Sequence, residues 1–271
     1  MIKLLVVNGC SLTRGQELDS PETDAWPAIV SAHLGLRMVS LARDGGSNRR
    51  VVRITVSRMH SICREHDVAP GEVLVLILWT GIDRAEYLAR PPDHPPDGRA
   101  GPHRRSSPAT IRAIEWELIG PWLKTRRNRT VQPDGRVARR AAARVAGAFY
   151  EHLWSPEAQQ ANFIVDWAML DGFLTSCGFH ARYAFGYPEM PGWFDHDAGL
   201  SDLIDRSRVF GRCDGRRENS FIGFTWDMPR GPLFHPLADG HRLFGQTLAP
   251  WLQRDLQTMA AAELTPPNNP T

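Results

Sequence analysis

Lysine is almost missing from this chain: Lys3 and Lys124 are the only two among its 32 basic residues. Neither follows a glycine-rich turn, and no Gly-x-Gly-x-x-Gly motif follows the first strand-like run. Both absences argue against a nucleotide-binding loop. Cysteine is scarce as well. Cys10, Cys63, Cys177 and Cys213 lie far apart without metal-type spacing, so reduced thiols and a cytoplasmic location are the expectation. No apolar run approaches the ~18 residues of a membrane span. The first apolar run breaks at Asn8 and Gly9, too early for a secretory leader. Internal repeats are absent.

Charge is present but unevenly spread. The formal net charge is only +2, yet Arg99 to Arg144 holds 12 Lys and Arg against Glu115, Glu117 and Asp134. A basic stretch of this kind is either a solvated helical face or a surface for an anionic partner. The arginines of Arg126–Arg144 have no aromatics interleaved among them, which argues against single-stranded nucleic acid.

The rest of the chain alternates between two periods. Ile2 to Val7 is apolar apart from Lys3 and partly β-branched, and Val73 to Trp79 is apolar throughout. Both read as strands buried on both faces. Between them, Asp24 to Gly35 reads as a short helix with Gly35 as its stop, Leu36 to Leu41 as a strand, and the stretch after the Asp44–Asn48 turn, to about Glu65, as an amphipathic helix. Strand, helix, strand, helix, strand at this spacing predicts a doubly wound parallel sheet. From Pro91 to Pro108 the chain is rich in Pro, Gly, His and Arg, and irregular structure is expected. Helical patterns follow at about Ile111–Lys124, Val137–Leu153 and Pro156–Cys177. Strands are expected again at His180–Gly186 and Phe221–Trp226, and a last helix at about Asp239–Leu256. The expected organisation is one α/β domain over 1–256, a mostly helical basic insertion at about 91–178, and a disordered tail over 257–271.

In open α/β sheets ligands bind beyond the carboxyl ends of the strands. Polar groups fall there at Ser11, Gly45 to Asn48, Thr80 to Arg84, and His235 to His241. The order Gly9-Cys10-Ser11-Leu12-Thr13, Gly45-Gly46-Ser47-Asn48, Trp79-Thr80-Gly81-Ile82-Asp83, then His235-Pro236 with Gly240-His241, resembles the SGNH (GDSL-like) hydrolase superfamily over residues 1–90 and 180–256. The resemblance implies a three-layer, flavodoxin-like α/β fold and a serine-dependent hydrolase or acyltransferase. Ser11 would attack an ester or thioester, His235 would serve as base, and the amides of Ser11 and of Gly45 or Gly46 would bind the oxyanion.

Two positions depart from the superfamily pattern. Pro232 stands where an Asp usually precedes the histidine. Asp227 is the nearest acid upstream, and a backbone carbonyl in that role would leave a Ser–His dyad. The third block contains no Asn, so Thr80, Asn48 or Arg84 is the candidate donor, Arg84 being equally a partner for Glu86. His241 reads as structural. Asp195-His196-Asp197 are adjacent residues that point to opposite faces of an extended segment, so no metal is expected, and no cofactor is implied. The expected partner is a small ester or acyl donor, an anionic one if the basic stretch takes part. A competing reading is a catalytically silent module binding an anionic ligand, or an enzyme using the fold for other chemistry.

Overall fold

The computed structural model describes residues 1–89, 115–121, 143–190, 202–211 and 219–264. The chain divides into two compact units: residues 1–82 with 156–271, and residues 83–155.

The first unit is built on a four-stranded, all-parallel sheet. Its strands are β1 (Leu4–Asn8), β2 (Arg37–Ser40), β3 (Val73–Trp79) and β6 (His180–Phe185), in the order β2-β1-β3-β6. Leu4 stands opposite Arg37 on one side and Val73 on the other, and Trp79 stands opposite Phe185. All five residues of β1 and all seven of β3 are buried, as expected for central strands covered on both faces.

Alternation along these strands sorts their side chains into two cores. Leu4, Val6, Val75, Ile77 and Trp79 pack with Val51, Met59 and Ile62 of α4 (Asn48–His66) and with Phe163, Trp167 and Leu170 of α5 (Pro156–Ser176). Leu5, Val7, Leu74, Leu76 and Leu78 pack with Trp26 and Val30 of α3 (Trp26–Leu34) and with Phe244, Leu248 and Leu252 of α7 (Ala238–Leu264). Helices therefore cover both faces, and the architecture is the expected three-layer α/β sandwich. Two short helices, α1 (Ser11–Arg14) and α2 (Pro21–Asp24), lie between β1 and α3.

Three expectations for this unit need correcting. Phe221–Trp226 is no strand: Phe221–Phe224 forms one helical turn, α6, whose N-cap Ser220 accepts a hydrogen bond from the Gly223 N–H at 3.1 Å. A six-residue apolar run does not by itself distinguish a buried strand from a buried turn of helix. The last helix continues to Leu264, so residues 257–264 are not a disordered tail. The helix at 156–176 belongs to the sheet-bearing unit, where Arg49 of α4 meets Asp166 of α5 at 2.9 Å.

The second unit, 83–155, contains an antiparallel pair, β4 (Ala85–Ala89) with β5 (Glu115–Ile119), in which Ala85 stands opposite Ile119. The helix expected at Ile111–Lys124 is thus a strand over its middle. Glu115 to Ile119 alternates charged and apolar residues at period two, the period of a strand. A helical segment over 143–148 leads into a π-helical stretch, Phe149–Leu153. Tyr150 Oη donates to the Asp83 carbonyl. Most of the Arg-rich stretch, along with Asp93, His94, Asp195, His196, Asp197 and Cys213, lies outside the described residues. Among the described residues, no helix is long and apolar enough to cross a membrane.

Candidate active site

β1 delivers the chain to the site through Asn8 and Gly9. The Asn8 carboxamide is buried; its Oδ1 accepts from the Gly9 N–H at 2.8 Å, and its Nδ2 donates to the Val51 carbonyl at 3.1 Å and to Thr55 Oγ1 at 3.0 Å. Gly9 has no room for a side chain: a Cβ there would lie 2.2 Å from Thr13 Oγ1 and 2.9 Å from the Leu78 carbonyl. Cys10 is extended, and Ser11 begins the single turn of α1, which Gly15 ends in the left-handed region at φ 79°. As the first residue of a helix, Ser11 has a backbone N–H with no intrahelical acceptor. Trp26 Nε1 donates to the Leu12 carbonyl at 3.1 Å and holds this turn from above. Ser11 is only 3% exposed.

The opposing side chain comes from the other end of the chain. Residues 226–236 form a loop closed by a bridge between Arg230 and Pro236. Inside it, the Gly231 N–H donates to the His235 carbonyl at 2.9 Å, and Arg230 Nη1 donates to the Phe234 carbonyl at 3.1 Å. Phe234 is held at φ 67° and is 79% exposed. This loop places His235 Nε2 2.8 Å from Ser11 Oγ. The two residues that the sequence placed at opposite ends of the chain meet.

The other ring nitrogen, Nδ1, lies 2.8 Å from Glu17 Oε2. Glu17, not Asp227, is therefore the carboxylate at the imidazole, and Asp227 is exposed at the surface. The same carboxylate accepts from the backbone N–H of Leu233 at 2.8 Å and of His235 at 3.2 Å. Burial alone would raise the Glu17 carboxyl, but these two amides and the His235 ring outweigh it and hold it below the usual carboxylate range. An ionised Glu17 accepts only, so Nδ1 carries a proton; in the neutral imidazole Nε2 is then the acceptor, and the Ser11 hydroxyl donates to it. Glu17 was missed in the sequence because no spacing rule places an acid six residues after the serine. The nearest signal is Gly15, whose left-handed backbone starts the reversal that returns Glu17 to the site.

Of the residues expected around the oxyanion, Gly46 lies against the serine turn. A Cβ there would sit 3.1 Å from the Gly9 carbonyl and 3.6 Å from Cys10 Cα. Its own N–H, however, donates to the Arg43 carbonyl at 2.9 Å, so Gly46 is not a free donor and that expectation is corrected. Gly45 precedes it at φ 70°. Asn48 and Thr80 form a reciprocal bracket between α4 and the end of β3. Asn48 Nδ2 donates to the Thr80 carbonyl at 2.8 Å, and the Thr80 N–H donates to Asn48 Oδ1 at 2.8 Å. These groups are committed to holding two elements together rather than to a ligand. Thr80 Oγ1 is buried without a hydrogen-bond partner. Arg84 lies in the second unit, with its Nε 4.0 Å from Asp83 Oδ1.

His241 is structural, as the sequence suggested. It is fully buried, and its Nδ1 accepts from the Trp26 N–H at 3.1 Å, capping α3 from a distance. Burial, with a smaller contribution from the charge of His235, lowers its pKa to about 3, so it is neutral at working pH. Among the described residues no group of His, Cys, Asp and Glu could hold a metal ion.

Fold and site together define an α/β protein with a serine, a histidine and a carboxylate gathered beyond the carboxyl ends of a parallel sheet. Residues 13–111 match a family described as a family of unknown function (DUF6071). No curated protein matches the chain. Among solved structures, it is similar to the psychrotrophic esterase EstA from Pseudoalteromonas sp., at 8% identity and TM-score 0.48, covering 94% of this chain and 99% of that one. It is also similar to TesA (13%, TM-score 0.43, covering 93% and 99%). A third similar structure is a member of the lipolytic protein G-D-S-L family from Veillonella parvula (11%, TM-score 0.42, covering 90% and 94%).

Proposed function

We propose that this protein is a serine-dependent ester hydrolase or acyltransferase of the SGNH type. The observation that carries the reading is the 2.8 Å approach of Ser11 Oγ to His235 Nε2. A serine hydroxyl becomes an effective nucleophile when a positioned base takes its proton as it attacks. In the first half-reaction Ser11 Oγ bonds to the ester carbonyl carbon while its proton passes to His235 Nε2. The tetrahedral oxyanion is met by the Ser11 amide and, from the neighbouring loop, the Gly45 amide. Collapse breaks the bond to the leaving alcohol or thiol, which takes the proton from His235. The acyl group then remains on Ser11 until water, or a second alcohol or amine, accepts it by the same steps in reverse order. The substrate is a small ester or thioester, and the chain works in the cytoplasm.

Covalent labelling by a fluorophosphonate probe, read by intact mass, tests this proposal. The expected result is one adduct on the wild-type chain and none on Ser11→Ala. No adduct on the wild type, or an adduct that survives Ser11→Ala, overturns it.

A further inference from the structure

We infer that Glu17 is the positioning residue of this site, holding both the ring and the main chain of His235 against Ser11. The inference rests on the serine–histidine reading above and extends it to a residue outside the superfamily pattern. Three donors converge on one carboxylate: the Leu233 N–H, the His235 N–H and His235 Nδ1, at 2.8, 3.2 and 2.8 Å. All three come from a three-residue stretch, so the carboxylate fixes the backbone that carries the imidazole as well as the imidazole's tautomer.

The surroundings are shaped around this carboxylate. Glu17 holds a left-handed backbone at φ 73°, a conformation that L-residues with a side chain adopt only at a cost. Strain retained at such a position points to a function. Gly231 lies directly over the carboxyl group: a Cβ there would be 2.6 Å from Glu17 Cδ and 2.6 Å from Oε1. The Glu17 side chain is only 12% exposed and that of His235 15%, so water competes little for these hydrogen bonds. Pro232 explains why the acid comes from elsewhere. The position three before the histidine carries neither a carboxylate nor an N–H, and the N-terminal segment fills the gap. Nucleophile and acid thus share the short stretch Ser11–Glu17, and only the base arrives from the far end.

A residue that merely folded the loop would be replaceable by a neutral acceptor, and a positioning residue would not. In Glu17→Gln the amide oxygen still accepts from the Leu233 N–H. Its NH2 group, when turned towards Nδ1, stabilises the tautomer with the proton on Nε2, where it blocks proton transfer from Ser11. The expected result is a drop of roughly 10²–10⁴ in the rate of fluorophosphonate labelling of Ser11, in a variant that still unfolds cooperatively at a thermal midpoint lowered by several degrees. A strongly downfield Nδ1 proton resonance should be present in the wild type and in Ser11→Ala, and lost in Glu17→Gln. Wild-type labelling by a folded Glu17→Gln, with Ser11→Ala unlabelled, overturns the inference and leaves the serine–histidine reading standing. Absence of labelling in the wild type defeats that reading instead. If Glu17→Gln does not fold, Gly231→Ala decides: it keeps the carboxylate but crowds it, so slow labelling of the folded variant supports the inference and an unchanged rate overturns it.

Discussion

Glu17 and Phe234 are two of the three non-glycine residues with positive φ among those described, and both serve the same histidine. One meets the imidazole at Nδ1, and the other immediately precedes it in the chain. Glu17 also makes a pH-dependent contribution to folding. Its carboxyl is held below the usual range in the folded state, so its stabilising contribution is complete above the unfolded value near 4.3 and is lost as pH falls through the folded value. We expect Glu17→Gln to be less stable than wild type by about 1.5–3 kcal/mol at pH 7, the range for hydrogen bonds to a charged group. The gap should close as the pH falls below about 4, as measured by urea unfolding across pH. At this scale the sequence was half legible. Ser11 could be placed because it falls at a recognisable break after an apolar strand, and His235 through the resemblance to the superfamily. Glu17 could not, since what brings it to the site is a backbone reversal that leaves no periodic trace.

Between elements, polar brackets set the geometry of the site. Asn48, at the start of α4, satisfies both backbone groups of Thr80 at the end of β3. Removing its carboxamide strands a buried N–H and a buried carbonyl. Asn48→Ala should therefore cost about 2–6 kcal/mol in chemical denaturation, each of the two orphaned groups contributing roughly 1–3 kcal/mol. The central strands and long helices were readable because burial on both faces writes a continuous apolar run and burial on one face writes a 3.6-residue period. α6 and β5 were not. The Phe221–Trp226 run is short enough for either conformation, and its outcome was decided by the Ser220 cap. Glu115–Ile119 finds its strand partner in Ala85–Ala89, a pairing that local pattern does not specify.

Across the molecule, the three-layer arrangement followed from strand and helix order, and two separated groups make its stability depend on pH. His241 is neutral in the fold, with a pKa of about 3 against an ordinary value of 6.5. Below 6.5 the unfolded chain takes up a proton that the native state refuses, so stability falls with pH by up to about 1.4 kcal/mol per unit. This loss begins more than a unit above the Glu17 window. His241→Gln, which keeps an acceptor for the Trp26 N–H, should flatten the slope between pH 6 and 5 in urea titrations and leave the separate loss due to Glu17, below about pH 4, in place.

Ser11 and His235 are 224 positions apart, and this separation has a consequence for synthesis. A ribosome releases the serine, its carboxylate and the first strands long before the imidazole exists, and a domain folds as a unit once its elements are present. The nascent chain therefore carries an unarmed alcohol through most of translation. On the proposed reading, Ser11 gains its base only when the last loop closes over the carboxylate that has been waiting for it.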